Sequence, residues 1–131
     1  MTRIWPDNTW VLVAEDEPLT ANLLRSRLQM EGLNVLLATN GQEALDYLQE
    51  QWVNLVVTDL MMPAMNGFRL IQEIRQLPSP LGQVPILVIS ANQNEKDMVA
   101  CFSAGADDFR SKPISIPLLL ERLWRLLRRT V

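Results

Sequence analysis

Five short apolar runs, each followed by a stretch of helical periodicity, constrain this chain more than any other feature. Trp10-Val11-Leu12-Val13-Ala14, Leu33 to Ala38, residues 54–58, Pro85-Ile86-Leu87-Val88-Ile89 and about Asp107 to Arg110 read as strands. The first, third and fourth are rich in Val, Leu and Ile and show no polar alternation, the pattern of strands buried on both faces. A helix opening at Pro18 carries Leu19, Leu23, Leu24, Leu28 and Met30 at helical spacing and stops at Gly32. A second places Ala44, Leu45 and Leu48 on one face, and a third carries Phe68, Leu70, Ile71, Ile74 and Leu77 before Pro78-Ser79-Pro80. A weaker helix over roughly 94–104 holds Met98, Val99, Cys101 and Phe102, and the last runs from about Ser115 to Arg129. Such alternation implies a parallel sheet with helices on both faces, joined by right-handed crossovers.

With 131 residues and no internal repeat or linker, the expectation is a single α/β domain with its core over about 10–129, after an N-terminal extension of residues 1–9. A net charge of -3 favours neither nucleic acid nor an anionic membrane as an electrostatic partner. The four Trp are scattered along the sequence and suggest no stacking platform for nucleic acid. No run approaches the ~18 apolar residues that span a bilayer. The N-terminus, with Asp7, does not resemble a signal peptide. The single Cys101 excludes an internal disulfide and reads as a small buried hydrophobe. These features give a cytoplasmic expectation. The absence of histidine removes His-based acid–base catalysis and most zinc chemistry.

Chemistry gathers at the carboxyl ends of the strands. The first ends in Glu15-Asp16-Glu17, the third in Asp59, the fourth in Ser90 and the fifth leads to Lys112-Pro113. In an open α/β sheet, ligands bind outside these ends at the point where strand order reverses. In a flavodoxin-like, doubly wound order of 2-1-3-4-5, the first and third strands are neighbours. Glu15, Asp16 and Asp59 would then face one crevice. Clustered carboxylates repel, and a hard divalent cation such as Mg2+ relieves that cheaply. Lys112 supplies a point charge suited to a phosphate oxygen, and Ser90 a hydroxyl. Three acids, a hydroxyl and a lysine suit phosphoryl transfer, which needs positioning and charge neutralisation more than a base.

The segments V-L-V-A-E-D-E-P, V-V-T-D-L-M-M-P-A-M-N-G, I-L-V-I-S-A and G-A-D-D-F-R-S-K-P together resemble the signature set of two-component response-regulator receiver domains, over about residues 10–129. The resemblance implies a phospho-acceptor switch with Asp59 taking a phosphoryl group from the phospho-His of a sensor histidine kinase or phosphotransfer protein. It makes Asp16 and Asp59 ligands of Mg2+, with Glu15 acting directly or through water and the Met61 backbone carbonyl completing the set. Ser90 resembles the switch hydroxyl, Phe109 the aromatic that moves with it, and Lys112 the lysine on the phosphoryl oxygen. Lys112-Pro113 would be a cis peptide. Glu15 stands where Asp is commoner, and Phe109 lacks the phenol of the frequent Tyr. Met61 and Asn92 flank the site at positions that tune dephosphorylation in the family. A degenerate receiver, acting as an interaction module without phosphorylation, is the alternative reading.

Two enzyme or cofactor classes fit less well. A haloacid-dehalogenase-like phosphatase needs a second Asp two residues after its nucleophile, where this chain has Met61. A flavodoxin needs a Ser/Thr/Gly phosphate loop where this chain has Glu15-Asp16-Glu17. The chain therefore reads as a switch and not as an enzyme with a metabolite substrate. On the last helix, Ile116, Leu119, Leu120, Leu123, Leu126 and Leu127 form a broad core-facing stripe. Trp124 lies at its margin and Leu118 opposite, among Arg122, Arg125 and Arg129, so that Leu118 and Trp124 are a candidate contact surface for a second copy or a linked output domain. No DNA-binding output domain is expected within these residues.

Overall fold

A computed structural model describes residues 3–92 and 94–129. The strands are β1 (Trp10–Ala14), β2 (Asn34–Ala38), β3 (Leu55–Asp59), β4 (Ile86–Ser90) and β5 (Asp108–Ser111). They alternate with α1 (Pro18–Met30), α2 (Gly41–Glu50), α3 (Gly67–Arg75), α4 (Glu95–Ala104) and α5 (Ile116–Arg129). All pairings are parallel and the order is β2-β1-β3-β4-β5, the flavodoxin-like order the alternation predicts. A short 3-10 turn over Leu81–Gln83 joins α3 to β4, after a cis Ser79-Pro80 bond.

Successive side chains of a strand point to opposite faces, so each central strand feeds two cores. Val11, Val13, Leu55, Val57, Leu87 and Ile89 pack with α1 and α5. Leu12, Ala14, Val56, Ile86 and Val88 pack with the helices of the other side, through Ala44, Leu48, Leu70, Ile71, Ile74 and Cys101. β3 and β4 are buried along their whole length, which is why each opens as an apolar run, Leu55-Val56-Val57 and Ile86-Leu87-Val88-Ile89. The six apolar residues predicted for the α5 stripe are all buried.

The helices begin where short polar side chains satisfy their first N–H groups. Glu17 accepts from Leu19 N and Thr20 N, Asn40 from Glu43 N, and Asn66 from Arg69 N. Glu17 is thus the cap of α1, and the hydrogen bond from Thr20 N, followed by that from Leu19 N, lowers its pKa.

Two helices differ from expectation. On α1 only Ala21, Leu24 and Leu28 are buried, while Leu19, Leu23 and Met30 are exposed. At 100° per residue the last three fall on the opposite side of the helix from the first three. On α4 Cys101 is buried but Val99 and Phe102 face solvent. β5 starts one residue later than predicted, because Asp107 is taken by a different task. Its carboxylate accepts from Ile86 N at 2.8 Å and from Arg75 Nη2 at 3.0 Å. Arg75 also donates to the carbonyls of Gly105, Gly82 and Val84, tying α3 to the entry of β4 and β5. Within the N-terminal extension Trp5 is buried in the α1–α5 core. Among the described residues, no helix is long and apolar enough to cross a membrane.

Candidate phosphoryl-transfer site

The sheet register brings the site together. Ala14 lies opposite Thr58 across β1–β3, and Asp59 opposite Ile89 across β3–β4. Ser90 lies opposite Ser111 across β4–β5, and Lys112 N donates to Ser90 O at 2.8 Å. Glu15, Asp59, Ser90 and Lys112 therefore leave their strands at one edge. Glu15 is held there by its own amide, which donates to Ala38 O at 2.9 Å.

Gly67 lets the β3–α3 loop fold back on this edge. Its N–H donates to Leu60 O at 2.8 Å, and a Cβ there would run into the Asp59 carbonyl. Only a residue without a side chain permits that approach. The same loop delivers Met61 N to Asp59 Oδ1 at 3.4 Å, so the Met61 backbone borders the acid while its side chain is exposed.

The cleft holds a dense set of charges. Carboxylate oxygens of Glu15, Asp16 and Asp59 all lie within 4.8 Å of one another. Glu15 and Asp59 are buried, and Asp16 is exposed. Lys112 Nζ lies 2.6 Å from Glu15 Oε1 and 3.1 Å from Asp59 Oδ2, neutralising part of that charge. Burial pushes Glu15 up to about 7; Lys112 opposes this, and the neighbouring Asp59 carboxylate adds to it. For Lys112, burial disfavours the ammonium, but the hydrogen bonds and charges of Glu15 and Asp59 outweigh it and raise its pKa. The Lys112-Pro113 bond is cis, as the resemblance implies.

Ser90 is buried and its hydroxyl oxygen accepts from Asn92 N at 3.1 Å. Phe109 is buried in the core shared with α4. The two α5 positions part company. Leu118 is exposed, whereas Trp124 is half-buried, its ring edge-on to Trp5 at 5.3 Å. Neither the Trp5 contact nor the Arg75 clasp is signalled in the sequence, since both join residues distant along the chain.

The family model that describes the response regulator receiver domain matches residues 11–124. The chain belongs to this family. Response regulator MprA of Mycolicibacterium vanbaalenii is 40% identical over 120 residues, covering 92% of this chain and 51% of that protein. ArlR of Staphylococcus aureus is 38% identical over 121 residues, with 92% and 53% covered. The chain thus spans about half the length of the curated relatives it matches.

Solved receiver domains agree in fold. One from a Francisella response regulator superposes with a TM-score of 0.87 at 29% identity, covering 95% of this chain and all of that one. The receiver domain of a Pseudomonas aeruginosa sensor histidine kinase, solved with a magnesium ion in its active-site cleft, gives 0.84 at 27% identity, covering 92% and 98%. This receiver domain is accordingly a component of two-component signalling.

Proposed function

We infer that this receiver domain is a phosphorylation-controlled switch in which Asp59 accepts a phosphoryl group from the phospho-histidine of a sensor histidine kinase or phosphotransfer protein. The observation that carries the reading is Lys112 Nζ bonded to Glu15 and Asp59 at once, in a cleft whose third acid is Asp16. An Asp59 carboxylate oxygen attacks phosphorus, the phosphorus–nitrogen bond breaks, and its electrons return to the imidazole, which takes a proton from solvent. An acyl phosphate on Asp59 results, and attack by water at phosphorus restores the carboxylate.

Glu15, Asp16, Asp59 and the Met61 carbonyl would hold Mg2+, a fit supported by three carboxylates whose oxygens converge within 4.8 Å. When bound, the ion neutralises charge on the phosphoryl oxygens. In the resting cleft Lys112 balances Glu15 and Asp59, and the same ammonium is the group that meets the added phosphate. The new charge draws the Ser90 hydroxyl away from Asn92 N, and Phe109 follows, altering the surface of α4, β5 and α5. A linked output domain or a second copy would read that surface, with the exposed Leu118 as a contact. Leu118→Glu then weakens that association without changing phosphorylation of the isolated domain.

Intact mass after incubation with acetyl phosphate tests the reading. The expected result is one phosphoryl adduct with Mg2+ and none in EDTA. An adduct formed equally well in EDTA would remove the metal from the account.

A further inference from the structure

Arg3, Ile4 and Trp5 lie outside the segment that matches the receiver family, yet Arg3 and Trp5 are seated like a bound peptide. Arg3 Nε and Nη2 each lie 3.0 Å from Glu31 Oε1, just past the end of α1, and Nη1 lies 3.4 Å from Glu121 Oε1 on α5. The Trp5 indole N–H donates to the same Glu31 oxygen at 3.3 Å. Its ring is only 8% exposed and stands edge-on, at 81°, to Trp124, with the Arg128 guanidinium 5.7 Å from the Trp124 centroid. Ile4, between the two anchors, is 80% exposed. The contacts therefore read as a short code: a guanidinium for two acids, then an indole for an aromatic slot.

The connection to β1 is an exposed turn. Pro6, Asp7 and Asn8 are exposed, and Asn8 has φ 61. Thr9 closes the turn by donating its hydroxyl proton to Pro6 O at 2.6 Å. Every copy of the chain carries both the segment and the groove, separated by this exposed turn. That is the arrangement in which identical elements exchange between protomers.

We propose that the groove between α1 and α5 is a binding site for an Arg-x-Trp segment, filled in cis by Arg3 and Trp5 and able to take the same segment from a second copy. The tether gives the cis segment an effective concentration of roughly millimolar, so exchange of the segment between wild-type chains is negligible at ordinary concentrations. Exchange dominates once the cis seat is broken.

Two variants of the 131-residue chain test this by size-exclusion chromatography with light scattering. Arg3→Glu alone, and Glu31→Arg/Glu121→Arg alone, each place like charges across the cis seat. Mixed, each segment finds a charge-matched groove on the other chain, and the contact of Trp5 with Trp124 is available in both. The expected result is a species of twice the monomer mass in the mixture, lost when both carry Trp5→Ala. A second arm deletes Asp7 and Asn8, removing most of the turn through which the segment reaches its own groove, and should dimerise through the same Trp5 contact. A mixture that stays monomeric, or a dimer that persists with Trp5→Ala, would overturn the proposal.

Discussion

Replacing Lys112 with methionine isolates the electrostatics of the cleft. The ammonium lies 2.6 Å from a fully buried Glu15 and 3.1 Å from a nearly buried Asp59. Removing one partner of a buried pair costs about 3–5 kcal/mol, because a charge is left desolvated and uncompensated. Glu15 has an escape, since it can take up a proton, and its folded pKa of about 7 already lies above the ordinary 4.5. Between these values the folded state binds more protons than the unfolded one, so wild-type stability falls as pH rises through that window. At about 1.4 kcal/mol per tenfold in proton affinity the loss is at most about 3 kcal/mol.

Without Lys112 the folded pKa of Glu15 rises further. The variant therefore keeps losing stability above the pH at which the wild type levels off. Urea titration followed by tryptophan fluorescence, in EDTA, measures this as a shift of midpoint at constant slope. The destabilisation should be the full 3–5 kcal/mol near pH 8 and less than about half of it near pH 5. Adding Glu15→Gln should restore most of the loss near pH 8. An equal loss at both pH values, or a double variant as unstable as the single, would refute the pairing of Glu15 with Lys112 as the controlling interaction.

Other consequences follow from the same cleft. Without metal, Asp59→Asn relieves repulsion among three acids while leaving the Glu15–Lys112 pair, so thermal unfolding should shift upward by about 1 kcal/mol in stability; a clear drop would argue against the shared cleft. Mg2+ at a hundred times its dissociation constant should stabilise the wild type by about 2.7 kcal/mol, reversed by EDTA, and calorimetry showing no such shift would contradict the metal site. Gly67→Ala forces a methyl group against the Asp59 carbonyl. It should cost about 1–3 kcal/mol and slow phosphorylation, and unchanged rates would show that the loop is not what positions Asp59.

The sequence makes the fold legible where burial is unambiguous. β1, β3 and β4 are apolar because helices cover both their faces, and α5 carries an amphipathic stripe with every predicted residue buried. It misleads on α1, where Leu19, Leu23 and Met30 share helical spacing with the core residues but occupy the opposite side. Periodicity reports that a stripe exists, and a helix with two stripes does not say which one faces the sheet. The site is legible because strand ends of a parallel sheet converge, so acids ending β1 and β3 must meet. What the sequence could not disclose is that Lys112 already bridges Glu15 and Asp59, since that depends on a side-chain path across 97 residues of separation. The seat of Trp5 on Trp124 is hidden for the same reason.

Whether Asp59 is the phosphoryl acceptor can be read at the level of a single residue. The chain is phosphorylated with acetyl phosphate and Mg2+, reduced with borohydride to convert an acyl phosphate to an alcohol, digested, and its peptides sequenced by mass spectrometry. Homoserine is expected at position 59 and at no other aspartate, lost in Asp59→Asn. Reduction at Asp16 or elsewhere, or persistence of the modified product in Asp59→Asn, would contradict that assignment.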